Sequence, residues 1–210
     1  MRKSFSEVLL GGLAPDGGLF MPLETYRFTN DELEDLCLLN YQELTVEILH
    51  QFVSEEINKN DFESIVSDAY QAFESEDVVN LIKLEDQRWI LELFHGPTLA
   101  FKDVAMQLLG TLLNYFAQKK KTKIAVLGAT SGDTGSAAIS ACSRYENVEV
   151  FILYPHERVT EIQRRQMTTT KAKNVHALSI QTDFDGCQAM VKELFLDPSI
   201  ESNETSFIAA

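Results

Sequence analysis

Basic residues are scarce in this chain: 18 lysines and arginines face 32 aspartates and glutamates, a formal charge of −14. That balance argues against nucleic acid or an anionic membrane surface as a partner. An anionic substrate would have to be held by a local cluster of cations and amides. No apolar run approaches bilayer length, and Met1-Arg2-Lys3 is followed by no signal-peptide core. Cysteine is rare as well. Cys37, Cys142 and Cys187 are odd in number and far apart, which reads as small core residues in a reducing, cytoplasmic setting rather than a disulfide scaffold. His50, His95, His156 and His176 show no ligand spacing, so no metal centre is expected. There are no repeats and no low-complexity tract.

What is present is a 210-residue chain, 45% hydrophobic and 24% charged, long enough for a sizeable core. Its composition changes near residue 77. Before that point, dense turn signals at Gly11-Gly12 and Ala14-Pro15-Asp16-Gly17-Gly18 precede three acidic helices, near 31–39, 41–54 and 60–74. The third shows an apolar face of Phe62, Ile65, Val66, Ala69, Tyr70 and Phe73, with Asn60 and Glu63 as its capping pair. Residues 1–77 are therefore expected to form a helical subdomain. From 78 to 210 the pattern predicts a hairpin (79–84 and 88–94), then helix 102–118, strand 122–128, helix 135–144, strand 148–154, helix 159–169, strand 174–180 and helix 184–196. Such alternation predicts an α/β fold built on a parallel sheet, with ligands gathering beyond the carboxyl ends of its strands.

Two motifs are expected at that edge, on neighbouring strand ends of one sheet. Lys102, in His95-Gly96-Pro97-Thr98-Leu99-Ala100-Phe101-Lys102-Asp103, opens a helix, where the backbone's partial positive charge disfavours another cation. Partly desolvated there, it should have its pKa drawn toward neutrality and become a usable nucleophile, as a Schiff base to a carbonyl cofactor requires. The second motif, Gly128-Ala129-Thr130-Ser131-Gly132-Asp133-Thr134-Gly135-Ser136, sits between an apolar strand and a helix. Its exposed amides suit a carboxylate or phosphate. It lacks the Lys-Ser/Thr of a Walker loop and the glycine spacing of a dinucleotide fingerprint. An activated lysine beside an amide-rich cradle describes an amino-acid-handling pyridoxal 5'-phosphate site.

The same residues resemble threonine synthase, a family of the pyridoxal-phosphate fold shared with the tryptophan synthase β subunit. Three further segments carry the resemblance: Gly12 to Leu19, Tyr154-Pro155 through Gln163 and Met167-Thr168-Thr169, and Asn174-Val175-His176 through Asp183 to Gln188. It runs from Phe5 to about Phe195. The resemblance implies conversion of O-phospho-L-homoserine and water to L-threonine and phosphate, with Lys102 carrying the cofactor as an aldimine and then serving as general base and acid. It places Asp133 where relatives with Asn face the cofactor's 3′-oxygen; a carboxylate there needs a proton or a different partner. Thr130, Ser131, Gly132 and Thr134 are the carboxylate-cradle candidates, and Arg158, at the end of a strand, is the candidate for the substrate's phosphate. His95 is either a pocket residue or a hydrogen-bonded structural one.

The family's full chain is about twice this length. The resemblance therefore implies a partial tryptophan synthase β-like fold, with the cofactor-phosphate cup and the pyridine-nitrogen partner in the other half. The 210 residues alone are expected to bind cofactor poorly and to form no threonine. Three alternatives stay open: another lyase or dehydratase of the same fold, a catalytically silent protein that binds small anions, and a bare truncation product that does not fold stably, its incomplete parallel sheet leaving apolar surface exposed.

Overall fold

The computed structural model describes residues 2–12, 14–16, 18–197 and 205–209. Leu13 and Gly17 of the N-terminal turn motif lie outside them. The chain opens with α1 (Phe5–Gly11), which the turn-rich composition hides. Ser4 accepts from the Glu7 amide and Glu7 returns the bond to the Ser4 amide, so a capping box starts the helix. Helices α2 (Asn30–Leu36), α3 (Tyr41–Val53) and α4 (Lys59–Tyr70) follow. Thr29 and Asn40 make the same reciprocal box for α2 and α3. The cap expected at Asn60 is instead at Asn58, whose extended backbone and carboxamide oxygen meet the Asp61 amide, so α4 starts earlier. Helix α2 ends at Leu36, short of its expected extent, and Cys37 is exposed rather than in the core.

Strands β1 (Asn80–Glu85) and β2 (Arg88–Glu92) pair antiparallel as the expected hairpin, with Gln87 at φ 62° in the turn. They form a two-stranded sheet of their own. Then come α5 (Asp103–Lys120), β3 (Lys123–Ala129), α6 (Asp133–Cys142), β4 (Val148–Pro155), α7 (Glu161–Thr168), β5 (Val175–Ile180) and α8 (Phe184–Leu196). A last strand, β6 (Thr205–Ala209), was not foreseen, because five residues leave too short a pattern to register. The main sheet is parallel, in the order β5-β4-β3-β6.

Helix α5 joins the two halves of the molecule. Its Leu108, Leu112 and Phe116 pack with Val46, Phe62, Val66 and Tyr70 of the N-terminal helices. Its Leu113 and Ala117 pack on the other side with Ile124, Val126, Val150 and Ile152 of the sheet and with Ala138 and Ile139 of α6. The opposite sheet face, including Leu127 and Leu153, is covered by Cys187 and Val191 of α8. Alternation along β3 sends successive side chains to opposite layers. Polar ties reinforce the joint: Arg144 pairs with Asp68 at 3.2 Å, and the Tyr145 hydroxyl donates to the same carboxylate at 2.8 Å. None of the helices among the described residues is long and apolar enough to cross a membrane.

Candidate active site

The two motifs meet. Lys102 is the residue before α5, with helical φ and ψ and no side-chain cap of its own. Its Nζ lies 3.1 Å from Oδ2 of Asp133, the first residue of α6, and 4.5 Å from the centroid of the Phe101 ring. Both partners of the ion pair are partly exposed, Lys102 at 29% and Asp133 at 34% of the side chain. The carboxylate at position 133 thus has the different partner it needed, the amine itself. An attractive counter-charge opposes the helix-end repulsion that spacing alone suggests.

One expectation about placement is corrected. The lysine does not extend from a strand end of the sheet that carries the glycine-rich turn. β2 belongs to the separate hairpin and ends at Glu92, and a structured loop carries the chain on to α5. Leu81, Leu84, Trp89, Ile90 and Leu91 are exposed on that hairpin, which forms a sheet of its own.

Asp103, fully buried as the first residue of α5, organises that loop. Its carboxylate accepts from the Thr98 amide and the Thr98 hydroxyl, both at 2.8 Å. Gly96 lies so close that an added Cβ would sit 2.4 Å from Asp103 Cβ. The Leu99 amide donates to the Gly96 carbonyl, and Leu99 takes φ 61°, a left-handed turn that a leucine adopts only when held. His95 is a hydrogen-bonded structural residue here, with Nε2 at 2.9 Å from Glu92 and 3.2 Å from Asn80.

The glycine-rich turn follows β3. Thr130 is buried, and its hydroxyl accepts from the amides of Gly132 (3.0 Å) and Gly135 (2.8 Å). That hydroxyl therefore ties the turn together from within. The Gly132 amide is engaged in that bond, and the Thr134 amide donates to Asp133 Oδ1 at 3.0 Å. What the turn offers outward is the amides of Ser131 and Asp133 and the hydroxyls of Ser131 and Thr134, none of which has a hydrogen-bond partner among the described residues. Gly132 has φ 145°, and a Cβ there would lie 2.2 Å from Gln163 Oε1. The backbone angle is what calls for glycine, since the Gln163 side-chain end could move aside.

Arg158 is exposed in the turn after β4, the strand that pairs with β3, and its side chain has no ion-pair partner among the described residues. Arg164 and Arg165 are engaged elsewhere: both hold Glu161, whose carboxyl is pulled down to about 2 by hydrogen bonds from Arg164 and then Arg165. Among these three arginines, Arg158 alone has an uncommitted charge. Asp103 lies within the lysine motif and Gln163 within a segment of the resemblance, but neither was given a role there, and Gln166 was not singled out, since a helix-face glutamine is common.

An accessible primary amine, a carboxylate beside it, an aromatic ring under it and a tight amide-rich turn fit an aldehyde-bearing cofactor and an amino-acid carboxylate. The comparisons agree. Residues 79–207 match the family described as pyridoxal-phosphate dependent enzyme, and the chain belongs to that family. Residues 1–70 match the threonine synthase N terminus. The chain is 49% identical over 194 residues to threonine synthase of Pseudomonas aeruginosa, covering 92% of this chain and 41% of the relative. Among solved structures it is similar to pyridoxal-phosphate-bound threonine synthase from Brucella melitensis (TM-score 0.91, 44% identity, 99% of this chain and 44% of that one). Yeast threonine synthase gives a TM-score of 0.89 at 42% identity, over 98% of this chain and 43% of the other. The chain spans less than half the length of these relatives.

Proposed function

We propose that this chain is the lysine-bearing part of a threonine synthase-type enzyme, acting on O-phospho-L-homoserine and water to give L-threonine and phosphate. The observation that supports it most is the 3.1 Å contact between Lys102 and Asp133, which joins an amine to an anion-binding turn. Lys102 is the amine that would hold the cofactor's aldehyde. When bound, pyridoxal phosphate would supply an electron sink that makes the proton on the substrate's amino-bearing carbon, and then those on the next carbon, acidic. Lys102, once free again, would take and return a proton at the amino-bearing carbon. Asp133 orients the amine and offsets its charge. The amides of Ser131 and Asp133, with the hydroxyls of Ser131 and Thr134, bind the substrate carboxylate at the N-terminus of α6, where the helix dipole favours an anion. Arg158 takes the phosphate as an uncommitted cation in an otherwise anionic protein. The 210 residues alone are proposed to capture the aldehyde weakly and not to complete the turnover.

The test uses the chain as it is. Incubation with millimolar pyridoxal 5′-phosphate, borohydride reduction and peptide mapping should put label on Lys102 in preference to the exposed Lys119, Lys120 and Lys121, and Lys102→Ala should abolish that peptide's label. Even labelling of all four lysines would overturn the assignment.

A further inference from the structure

Helix α7 touches both halves of the site. From one position Gln166 reaches back across the molecule, its Nε2 donating to the Thr98 carbonyl at 3.0 Å. From the position one turn earlier, Gln163 lies against Gly132, and its backbone carbonyl accepts from the Ser136 hydroxyl at 3.5 Å. Met167, the residue after Gln166, is fully buried and anchors α7 in the sheet core, which leaves the helix little freedom to slide.

Thr98 is the residue that Asp103 grips at its other end, through amide and hydroxyl together. A continuous chain of contacts therefore runs from α7 through Gln166, Thr98 and Asp103 to the start of α5, where Lys102 stands. This connection is independent of the Lys102–Asp133 ion pair. The difference matters because the ion pair requires the amine to be free and charged. An amine that condenses with an aldehyde, releasing water, exchanges the three N–H donors of the ammonium for at most one on the imine nitrogen, which weakens the direct tie between the lysine loop and the glycine-rich turn. The tie through Gln166 involves neither the amine nor the carboxylate, so it persists.

We propose that Gln166 is a positioning residue for Lys102: its side-chain amide fixes the Thr98 carbonyl and thereby holds the lysine loop in register with the glycine-rich turn. The inference rests on the reading of Lys102 as the cofactor-holding amine. Gln166 touches neither the amine nor the cradle, so it acts only through the loop. The part that matters is the donor, because the acceptor it meets is a main-chain oxygen.

The experiment compares Gln166→Met, which keeps length and bulk but has no donor, with Gln166→His, which restores a neutral donor. Both are labelled with pyridoxal 5′-phosphate and borohydride, and amide hydrogen exchange is followed at Thr98, Leu99 and Asp103. In the Met variant the share of label on Lys102 should fall about fivefold, the size of one neutral hydrogen bond, with the surface lysines unchanged and the melting temperature lowered by no more than about 4 °C. Exchange at the three amides should rise by a similar factor. The His variant should return both readings to within about twofold of the parent. If Lys102 is labelled preferentially in the parent and equally in both variants, Gln166 has no positioning role and the proposal fails, while the assignment of Lys102 stands. If the parent's Lys102 takes no preferential label, the cofactor reading fails instead. Exchange then decides alone: equal loop protection in the Met variant and the parent overturns the tie, and faster exchange rescued by His upholds it.

Discussion

Replacing Thr130 with valine removes one oxygen and almost nothing else, and it separates two roles for this residue. The hydroxyl is buried and is the acceptor for both Gly132 and Gly135 amides. Valine keeps the shape but leaves two N–H groups without a partner, each costing about 1–3 kcal/mol when buried. The neighbouring Ser131 is exposed, so water reaches part of the turn and the sum falls toward the low end. We expect a loss of about 3 kcal/mol, which for a chain of this size lowers the melting temperature by roughly 6–12 °C. Thr130→Ser keeps the acceptor and removes one buried methyl group, costing about 1 kcal/mol. Thermal and urea unfolding of the two variants, followed by far-UV circular dichroism, gives the comparison directly. If Thr130→Val melts with Thr130→Ser, the turn does not depend on this hydroxyl and the assignment is wrong. Loss of ligand capture without loss of stability would instead return Thr130 to the substrate.

Two further predictions concern the frame around the site. Asn174 is buried, and its Nδ2 donates to the carbonyls of Cys142, Tyr145 and Val148, closing the end of α6 onto the start of β4. Asn174→Ala should destabilise by about 2–3 kcal/mol in urea unfolding, and a loss under about 0.5 kcal/mol would show that water replaces the side chain. At pH 8, Cys37 should react quickly with Ellman's reagent while Cys142 and Cys187 stay silent until denaturant is added. Burial pushes the Cys142 thiol up to about 12 and also raises that of Cys187, so both remain protonated at that pH. Fast reaction of more than one thiol in the native chain would contradict the packing of α6 and α8.

Much of the architecture was legible because it depends on short-range pattern. The alternation of β3, β4 and β5 with α5 to α8 followed from the change between periods of two and 3.6 residues. The misses have local causes of a different kind. Helix α1 was hidden by the glycines that follow it, although Ser4 and Glu7 carry a capping box in plain sight. The cap of α4 went to Asn60 on pattern, whereas backbone geometry puts it at Asn58. In the site, Lys102 and the glycine-rich turn stood out because each is a dense local motif at a helix start. Asp103 and Gln166 did not, since a buried aspartate and a helix-face glutamine look ordinary until their partners are known.

The sequence by itself determined the chemistry on offer: an amine at the head of one helix, a glycine-rich turn at the head of another, and a parallel sheet to carry the second. Tertiary structure decided which groups face a ligand and which hold the scaffold. Lys102 meets a carboxylate 31 residues away, and Gln166 meets a carbonyl 68 residues away. No periodicity encodes such pairs, because a hydrogen bond is fixed by where two segments cross in space, and that crossing is set by the packing of α5, α6 and α7 around one core.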